Sequence, residues 1–243
     1  MGAAFGWGLL AASSLVIGAI AALVLRIDRQ LIGLIMGFGA GVLISALSFD
    51  LVEEAVDKGP DKWVPLFGIL AGCLVFFGGD LLISRSGGAD RKDSSGAQED
   101  GSPLAIVLGT VLDGIPESLV IGLTIVEGGA VGTAYLAAVF ISNLPEAISS
   151  TAGLVASGWR RSRILWMWIA IALVSGLASL LGYSLFRDAS PDTVAFILTF
   201  AAGGILAMLA ETMMPEAFEQ GHKLVGIATT LGFVVAFGIH QLD

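Results

Sequence analysis

The sequence predicts an all-α polytopic membrane protein with eight transmembrane helices. Of its 243 residues, 56% are hydrophobic and only 14% are charged, and the mean hydropathy is +0.88. An ordinary soluble domain contains about a quarter of charged residues. The apolar residues are gathered into runs of roughly 20 residues, the length that a helix needs to cross a bilayer. We therefore expect residues 1–243 to form a single transmembrane domain with no separate soluble unit.

Eight such runs follow one another along the chain, and charged residues, glycine or proline separate them. Span 1 ends at Arg26, and span 4 opens with Pro103, a residue that is favoured in the first turn of a helix. The first run lacks the cationic start and the cleavage site of a secretory signal, so we expect it to stay in the bilayer. The predicted spans are residues 4–25, 31–51, 63–83, 103–126, 130–157, 164–186, 192–217 and 223–240.

The distribution of Lys and Arg over the loops predicts the orientation of the chain. The loops after spans 1, 3, 5 and 7 carry nine basic residues, whereas the loops after spans 2, 4 and 6 carry three. Basic loops remain in the cytoplasm, so both termini are predicted to be external in the plasma (inner) membrane. Residues 85–102, rich in Gly, Ser and charge, are then predicted to form a flexible cytoplasmic loop.

Two polar motifs interrupt the apolar runs of spans 4 and 5. They read "DGIPES" from Asp113 and "SNLPEA" from Ser142. In each motif the first residue and the glutamate are four apart, so they lie on one helical face. Each motif begins about ten to twelve residues into its span, which places it near the middle of the bilayer. Since the two spans run in opposite directions, we expect the motifs to meet there.

The residue types in these motifs are those of a cation site. Pro116 and Pro145 each remove a backbone donor and release a carbonyl oxygen one turn earlier. Such carbonyls are tolerated in a membrane only where they line a cavity, and carboxylates inside a span indicate a functional site. A purely structural reading, in which protonated acids hydrogen-bond between helices, is the alternative. The predicted metal ligands are Asp113, Glu117, Ser142, Asn143 and Glu146.

The charge of this site has no counterpart in the predicted spans. The only Lys or Arg in the eight is Lys223, the first residue of span 8, while three carboxylates lie near the midplane. Like charges and burial both oppose ionisation of a carboxyl group, so an empty site is expected to hold one or more protons. A divalent cation would replace these protons and supply the missing positive charge.

With their arrangement of spans, these motifs resemble the metal-binding signatures of the ZIP (Zrt/Irt-like) metal permeases. In that family span 4 usually reads His-Asn-x-Pro-Glu-Gly, and span 5 carries a His- or Gln-led Pro-Glu motif. The segments "LISALSFDLVEEA" of span 2 and "GGILAMLAETMMPEA" of span 7 extend the resemblance over nearly the whole chain. The resemblance implies an inverted repeat of spans 1–3 and 6–8 around spans 4–5. It also implies a homodimer.

Carried over residue by residue, the resemblance makes Glu117 and Glu146 direct metal ligands. Asp113 and Ser142 stand where relatives usually have His or Gln, and Ser179 stands where many have a span 6 Glu. The chain is thus similar to a His-depleted member of the family. An all-oxygen ligand set favours harder cations than an imidazole-containing one.

Further acids stand at the ends of two spans. One group ends span 2 on the predicted external side and could attract cations, while the other ends span 7 on the cytoplasmic side. The alternative is that these are ordinary helix ends in contact with solvent, which also commonly carry acidic residues. The residues of this predicted pathway are Asp50, Glu53, Glu54, Glu211 and Glu216.

Together these features predict a transporter, not an enzyme, that moves divalent cations of the Zn/Fe/Mn class into the cytoplasm. The metal ion is the transported substrate, and no prosthetic cofactor is expected. A proton or monovalent-cation pathway and a non-transporting metal-binding relative are the alternatives. The expected partners are divalent metal cations, the lipid bilayer and a second copy of the chain, whereas the net charge of −9 argues against nucleic acid.

Overall fold

The computed structural model describes residues 2–25, 27–59, 61–88, 91, 103–128 and 132–242. Within these ranges every regular element is helical and no strand occurs, which confirms the all-α class. Of the predicted loop 85–102, residues 89, 90 and 92–102 lie outside the described part. The α-helices are α1 Gly2–Val24, α2 Arg29–Ala46, α3 Glu54–Lys58, α4 Trp63–Ile83, α5 Pro103–Gly128, α6 Thr133–Ala156, α7 Arg161–Phe186, α8 Pro191–Met208, α9 Met214–Gly221 and α10 Val225–His240.

Six helical stretches of the described residues are long and apolar enough to cross a membrane, so the chain is a multi-pass membrane protein. They are Gly2–Val24, Arg29–Lys58, Trp63–Gly88, Ala105–Val126, Arg161–Phe186 and Pro191–His240. The last stretch has 50 residues and holds both α8 and α10. Helix α6 has 24 residues but is not among the six, because polar residues of its "SNLPEA" motif reduce its apolar character. The count of eight spans stays a prediction.

The outer surface of the bundle is apolar, while its largely apolar interior also contains buried acids. Helix α4 exposes a row of large apolar side chains that includes Leu66, Phe67 and Leu70. Several acidic side chains, among them Asp113 and Glu117, are buried instead. An apolar outer surface of this extent is suited to contact with lipid and is rare on soluble monomers.

The long helices pack in pairs that approach closely. Helix α1 packs on α6 and α7, α5 packs on α7, α2 packs on α10, and α4 packs on α8. A Cβ atom added to Gly41 would collide with the Thr229 carbonyl of α10, and one added to Gly72 would collide with the Phe200 carbonyl of α8. Small residues therefore allow the backbones to touch, as membrane helix interfaces require. Gly37, Gly39 and Gly41 of α2 all lie at such contacts.

Two wide π-helical turns interrupt the regular helices near the predicted pathway acids. One spans Leu47–Glu53 directly after α2, and the other spans Leu209–Met213 directly after α8. The first contains Asp50 and the second contains Glu211. Wide turns of this kind often occur at functional sites. Here each turn places an acidic residue at one end of the helix bundle.

Candidate metal centre

The two Pro-Glu motifs lie inside uninterrupted helices in the core of the bundle. Pro116 is inside α5 and Pro145 is inside α6. The side chains that carry charge are nearly inaccessible: Asp113 and Glu117 are each 2% exposed, and Glu146 is 5% exposed. Because a buried charge is costly unless something compensates it, these acids require either a proton or a cationic partner.

Helix α2 crosses the second motif at close range. A Cβ atom on Gly39 would lie 2.9 Å from Cγ of Pro145 and 3.4 Å from Cα of Ser142. The Ser142 hydroxyl donates to the Val139 carbonyl oxygen at 3.1 Å, and Asn143 is also buried. A hydroxyl that donates its own proton keeps its oxygen lone pairs for another partner. Ser142 is therefore able to accept a cation.

The structure does not assemble all the predicted ligands into one coordination group. Among the described residues, no three His, Cys, Asp or Glu side chains gather closely enough to hold a metal ion. Helix α6 packs mainly on α1 and α2, whereas α5 packs mainly on α7. The two motifs thus share the core without forming a closed cage, and the ligand set stays a prediction.

Asp113 is held by an arginine that comes from the loop between α4 and α5. The Arg91 Nε donates to Oδ2 of Asp113 at 3.0 Å, and Nη2 donates to Oδ1 at 3.0 Å. This paired geometry is the strongest form of an arginine–carboxylate contact. The expectation that the midplane acids have no basic counterpart is therefore wrong for Asp113. Arg91 lies outside the predicted spans, so a count of charges within those spans does not include this partner.

Two further acids lie around Arg91. Its Nη2 is 2.6 Å from Oδ1 of Asp80 on α4, and its Nη1 donates to the Gly88 carbonyl at 3.3 Å. Glu211 is close enough to both Asp80 and Arg91 to interact with them electrostatically. An acidic region with one cation in its centre thus extends from Asp113 towards the end of α8.

A cavity opens at the end of the bundle that holds the other pathway acids. It has a volume of about 490 Å³, and we call it the Asp50 cavity. His240 lies on its wall, with Nδ1 at 2.6 Å from Oδ1 of Asp50 and its ring stacked on Phe49. The acidic and aromatic side chains that line it are Phe49, Asp50, Glu53, Glu54, Asp57, Tyr135 and His240.

Tyr135 connects this cavity with the buried motif of α5. Its hydroxyl has no hydrogen-bond partner within the described residues, although the residue is fully buried. It lies within electrostatic reach of both Glu117 and Asp50. Tyr135 thus lines the Asp50 cavity and is also close enough to Glu117 to interact with it electrostatically.

The remaining predicted residues differ in their surroundings. Glu53 and Glu211 are exposed, and Glu54 forms an ion pair with Lys58 at 2.5 Å. Glu216 is buried and accepts a hydrogen bond from the Gln220 amide. Ser179 donates to the Ala4 carbonyl at 2.8 Å and links α7 to α1.

Sequence reasoning missed four residues of this centre: Asp80, Arg91, Tyr135 and His240. Arg91 is 22 positions from Asp113, and His240 is 190 positions from Asp50. No local motif joins either pair. The one available signal was the composition, since an isolated polar residue in or beside an apolar span has to find a partner within the bundle.

Comparison with known proteins places the chain beside curated zinc transporters. No protein-family model matches it. It is 28% identical over 207 residues to a candidate zinc transporter of Arabidopsis thaliana, and this match covers 84% of the chain and 33% of that relative. It is 29% identical over 111 residues to the zinc transporter zipt-7.2 of Caenorhabditis elegans, covering 43% of the chain and 23% of that relative. The chain thus spans about a third of the length of the first of these relatives.

Proposed function

We propose that the chain is a ZIP-type metal transporter and that it moves divalent metal cations across the membrane into the cytoplasm, a proposal supported by its similarity to curated zinc transporters. The observation that carries the proposal is the burial of Glu117 and Glu146. Each lies in a Pro-Glu motif within an apolar helix of the bundle, Glu117 in α5 and Glu146 in α6. Carboxylates buried in this way are stable when a cation or proton compensates them. Zinc is the first candidate cargo, since the relatives are named as zinc transporters, and iron and manganese belong to the same chemical class.

In this proposal Glu117 and Glu146 bind the metal directly. Ser142 and Asn143 add neutral oxygen donors from one turn of α6. Asp113 belongs to the same site, and its carboxylate is held by Arg91 in the described conformation. Oxygen donors of this kind suit Mn²⁺ better than a site that contains imidazole, although metal availability also decides which ion is carried.

The path of the ion would follow the polar residues that the bundle encloses. It enters through the Asp50 cavity, passes Tyr135 to reach Glu117 and Glu146, and leaves past Glu211 and Glu216. The unpartnered hydroxyl of Tyr135 supports this route, because a buried polar group without a partner costs free energy and is often retained in native structures for a functional role. The two π-helical turns support it as well, since wide turns often occur at functional sites and these two contain Asp50 and Glu211.

Eight spans in an inverted repeat account for the packing of the helices. If α1, α2 and α4 correspond to α7, α8 and α10, then exchanging the two sets and exchanging α5 with α6 maps the α1–α7 pair onto itself and the other close pairs onto one another. The α2–α10 pair becomes α8–α4, and the α1–α6 pair becomes α7–α5. A repeat of this kind moves a midplane site between the two sides by rocking one bundle against the other. The homodimer stays a prediction.

Cation uptake by vesicles that contain the purified full chain tests the proposal. We expect accumulation of Zn²⁺ inside the vesicles, with inhibition by Mn²⁺, Fe²⁺, Co²⁺ and Cd²⁺ in an order that reports the preference of the site. Movement of protons or Na⁺ without any divalent ion would support the monovalent-cation alternative. Binding of Zn²⁺ without accumulation would support the non-transporting alternative. Either result would reject metal transport.

A further inference from the structure

Arg91 is the only Lys or Arg side chain that is buried among the described residues. Its guanidinium is 1% exposed, as is the carboxylate of Asp113, whereas the Asp80 side chain is 16% exposed. The fully buried partner is therefore Asp113, and Asp80 retains some access to solvent. A guanidinium with this degree of burial is stable only when its charge is paired and its donors are used.

The bundle contains a specific place for this side chain. A Cβ atom added to Gly109 would collide with Cδ of Arg91 and would lie 2.8 Å from its Nε. Gly109 is one helical turn before Asp113 on α5, so the missing side chain leaves room for the arginine stem beside the carboxylate. The Gly88 carbonyl accepts from Nη1 on the other side. Three separate features thus position one guanidinium.

The position of Arg91 changes the charge that the metal meets. Asp113, Glu117 and Glu146 carry three negative charges when all are ionised. Arg91 offsets the charge of Asp113, which leaves two carboxylates for a cation with two positive charges. The other acids near the guanidinium are Asp80 and Glu211, and both are more accessible to solvent than Asp113, where water screens their charge.

We propose that Arg91 is a tethered cation that withdraws Asp113 from the metal and matches the charge of the site to a single divalent ion. Arg91 acts through Asp113 and does not touch the metal, so it is a positioning residue. This inference rests on the proposed function, because it assumes that Glu117 and Glu146 bind a divalent cation. Because Arg91 pairs with Asp113, only two carboxylates bind the ion. A third carboxylate would bind the ion more tightly and slow its release, so this pairing favours release of the ion.

The test is direct binding of Zn²⁺ to the purified full chain, together with uptake by vesicles. In Arg91→Gln, Asp113 loses the guanidinium, and we expect the Kd for Zn²⁺ to fall at least tenfold while the maximal uptake rate also falls. Adding Asp113→Asn to Arg91→Gln should return the Kd to within about threefold of the unmodified value, which is under 1.4 kcal/mol. Arg91→Lys keeps the charge and should resemble the unmodified chain. Tighter binding is a gain that a mere folding defect would not produce.

Two further variants keep the test independent of the stability of Arg91→Gln. Gly109→Ala places a methyl group where the arginine stem lies, so it should displace the guanidinium and lower the Kd with Arg91 still present. Arg85→Gln changes an exposed arginine of the same loop and should leave the Kd unchanged.

The outcomes separate the two proposals. If the unmodified chain binds Zn²⁺ and both Arg91→Gln and Gly109→Ala leave the Kd unchanged or raise it, the role of Arg91 is refuted while the metal site stands. If the lower Kd of Arg91→Gln persists in the double variant, Asp113 is not the residue through which Arg91 acts, and the inference is refuted. If the unmodified chain binds no divalent ion, the proposed function itself fails.

Discussion

Replacing Glu117 or Glu146 by glutamine tests the metal centre most directly. Glutamine has nearly the same size as glutamate, so the buried packing is retained while one negative charge is lost. At an effective dielectric constant of about 20, two unit charges about 4 Å apart interact by about 4 kcal/mol, and a divalent ion doubles this to about 8 kcal/mol. Desolvation of the buried ion offsets several kcal/mol of that attraction. We therefore expect a net loss of about 3 kcal/mol, or about a hundredfold increase in the Kd for the metal.

The assay is Zn²⁺ binding and Zn²⁺ uptake by each variant in parallel with the unmodified chain. Each glutamine variant should lose most of its uptake and should unfold at the same temperature, because a neutral amide resembles the protonated empty state. Glu219→Gln is the matched control, since Glu219 is exposed and should change the Kd by less than about twofold. Full uptake by both Glu117→Gln and Glu146→Gln would refute the assignment of the site to α5 and α6.

Three other predictions address the ligand type, the orientation and the helix packing. Asp113→His combined with Ser142→His, in a chain that also carries Arg91→Gln, should raise the preference for Zn²⁺ over Mn²⁺ because imidazole is the softer ligand; an unchanged uptake ratio would show that these positions do not set selectivity. A cysteine at position 94 should react with a membrane-impermeant reagent only from the cytoplasmic side. Labelling of this cysteine from outside sealed cells would contradict the predicted orientation. Gly72→Ala should lower the stability by about 1–3 kcal/mol because its Cβ would collide with the Phe200 carbonyl, whereas Gly78→Ala on the same helix, with nothing nearby, should not change the unfolding temperature.

The fold class and the positions of the two motifs could be predicted from the sequence. Apolar runs of the length of a bilayer predict helices, and the structure contains helices where the runs occur. The four-residue spacing in each motif also predicts a shared face, because helix geometry is local. Burial of Glu117 and Glu146 follows from the same reasoning, since both lie in the middle of apolar helices. These properties depend only on neighbours along the chain.

The partners of the acids could not be predicted, because only the tertiary structure brings them together. Arg91 reads as an ordinary loop cation in the sequence, yet its side chain enters the bundle and binds Asp113. His240 reads as a residue at the end of the last helix, yet it contacts Asp50 from the other end of the chain. In both pairs a buried or partly buried charged side chain contacts an oppositely charged or polar side chain that is close in space but distant in sequence. Electrostatic and hydrogen-bonding energies depend on distance between atoms, and separation along the chain does not determine that distance.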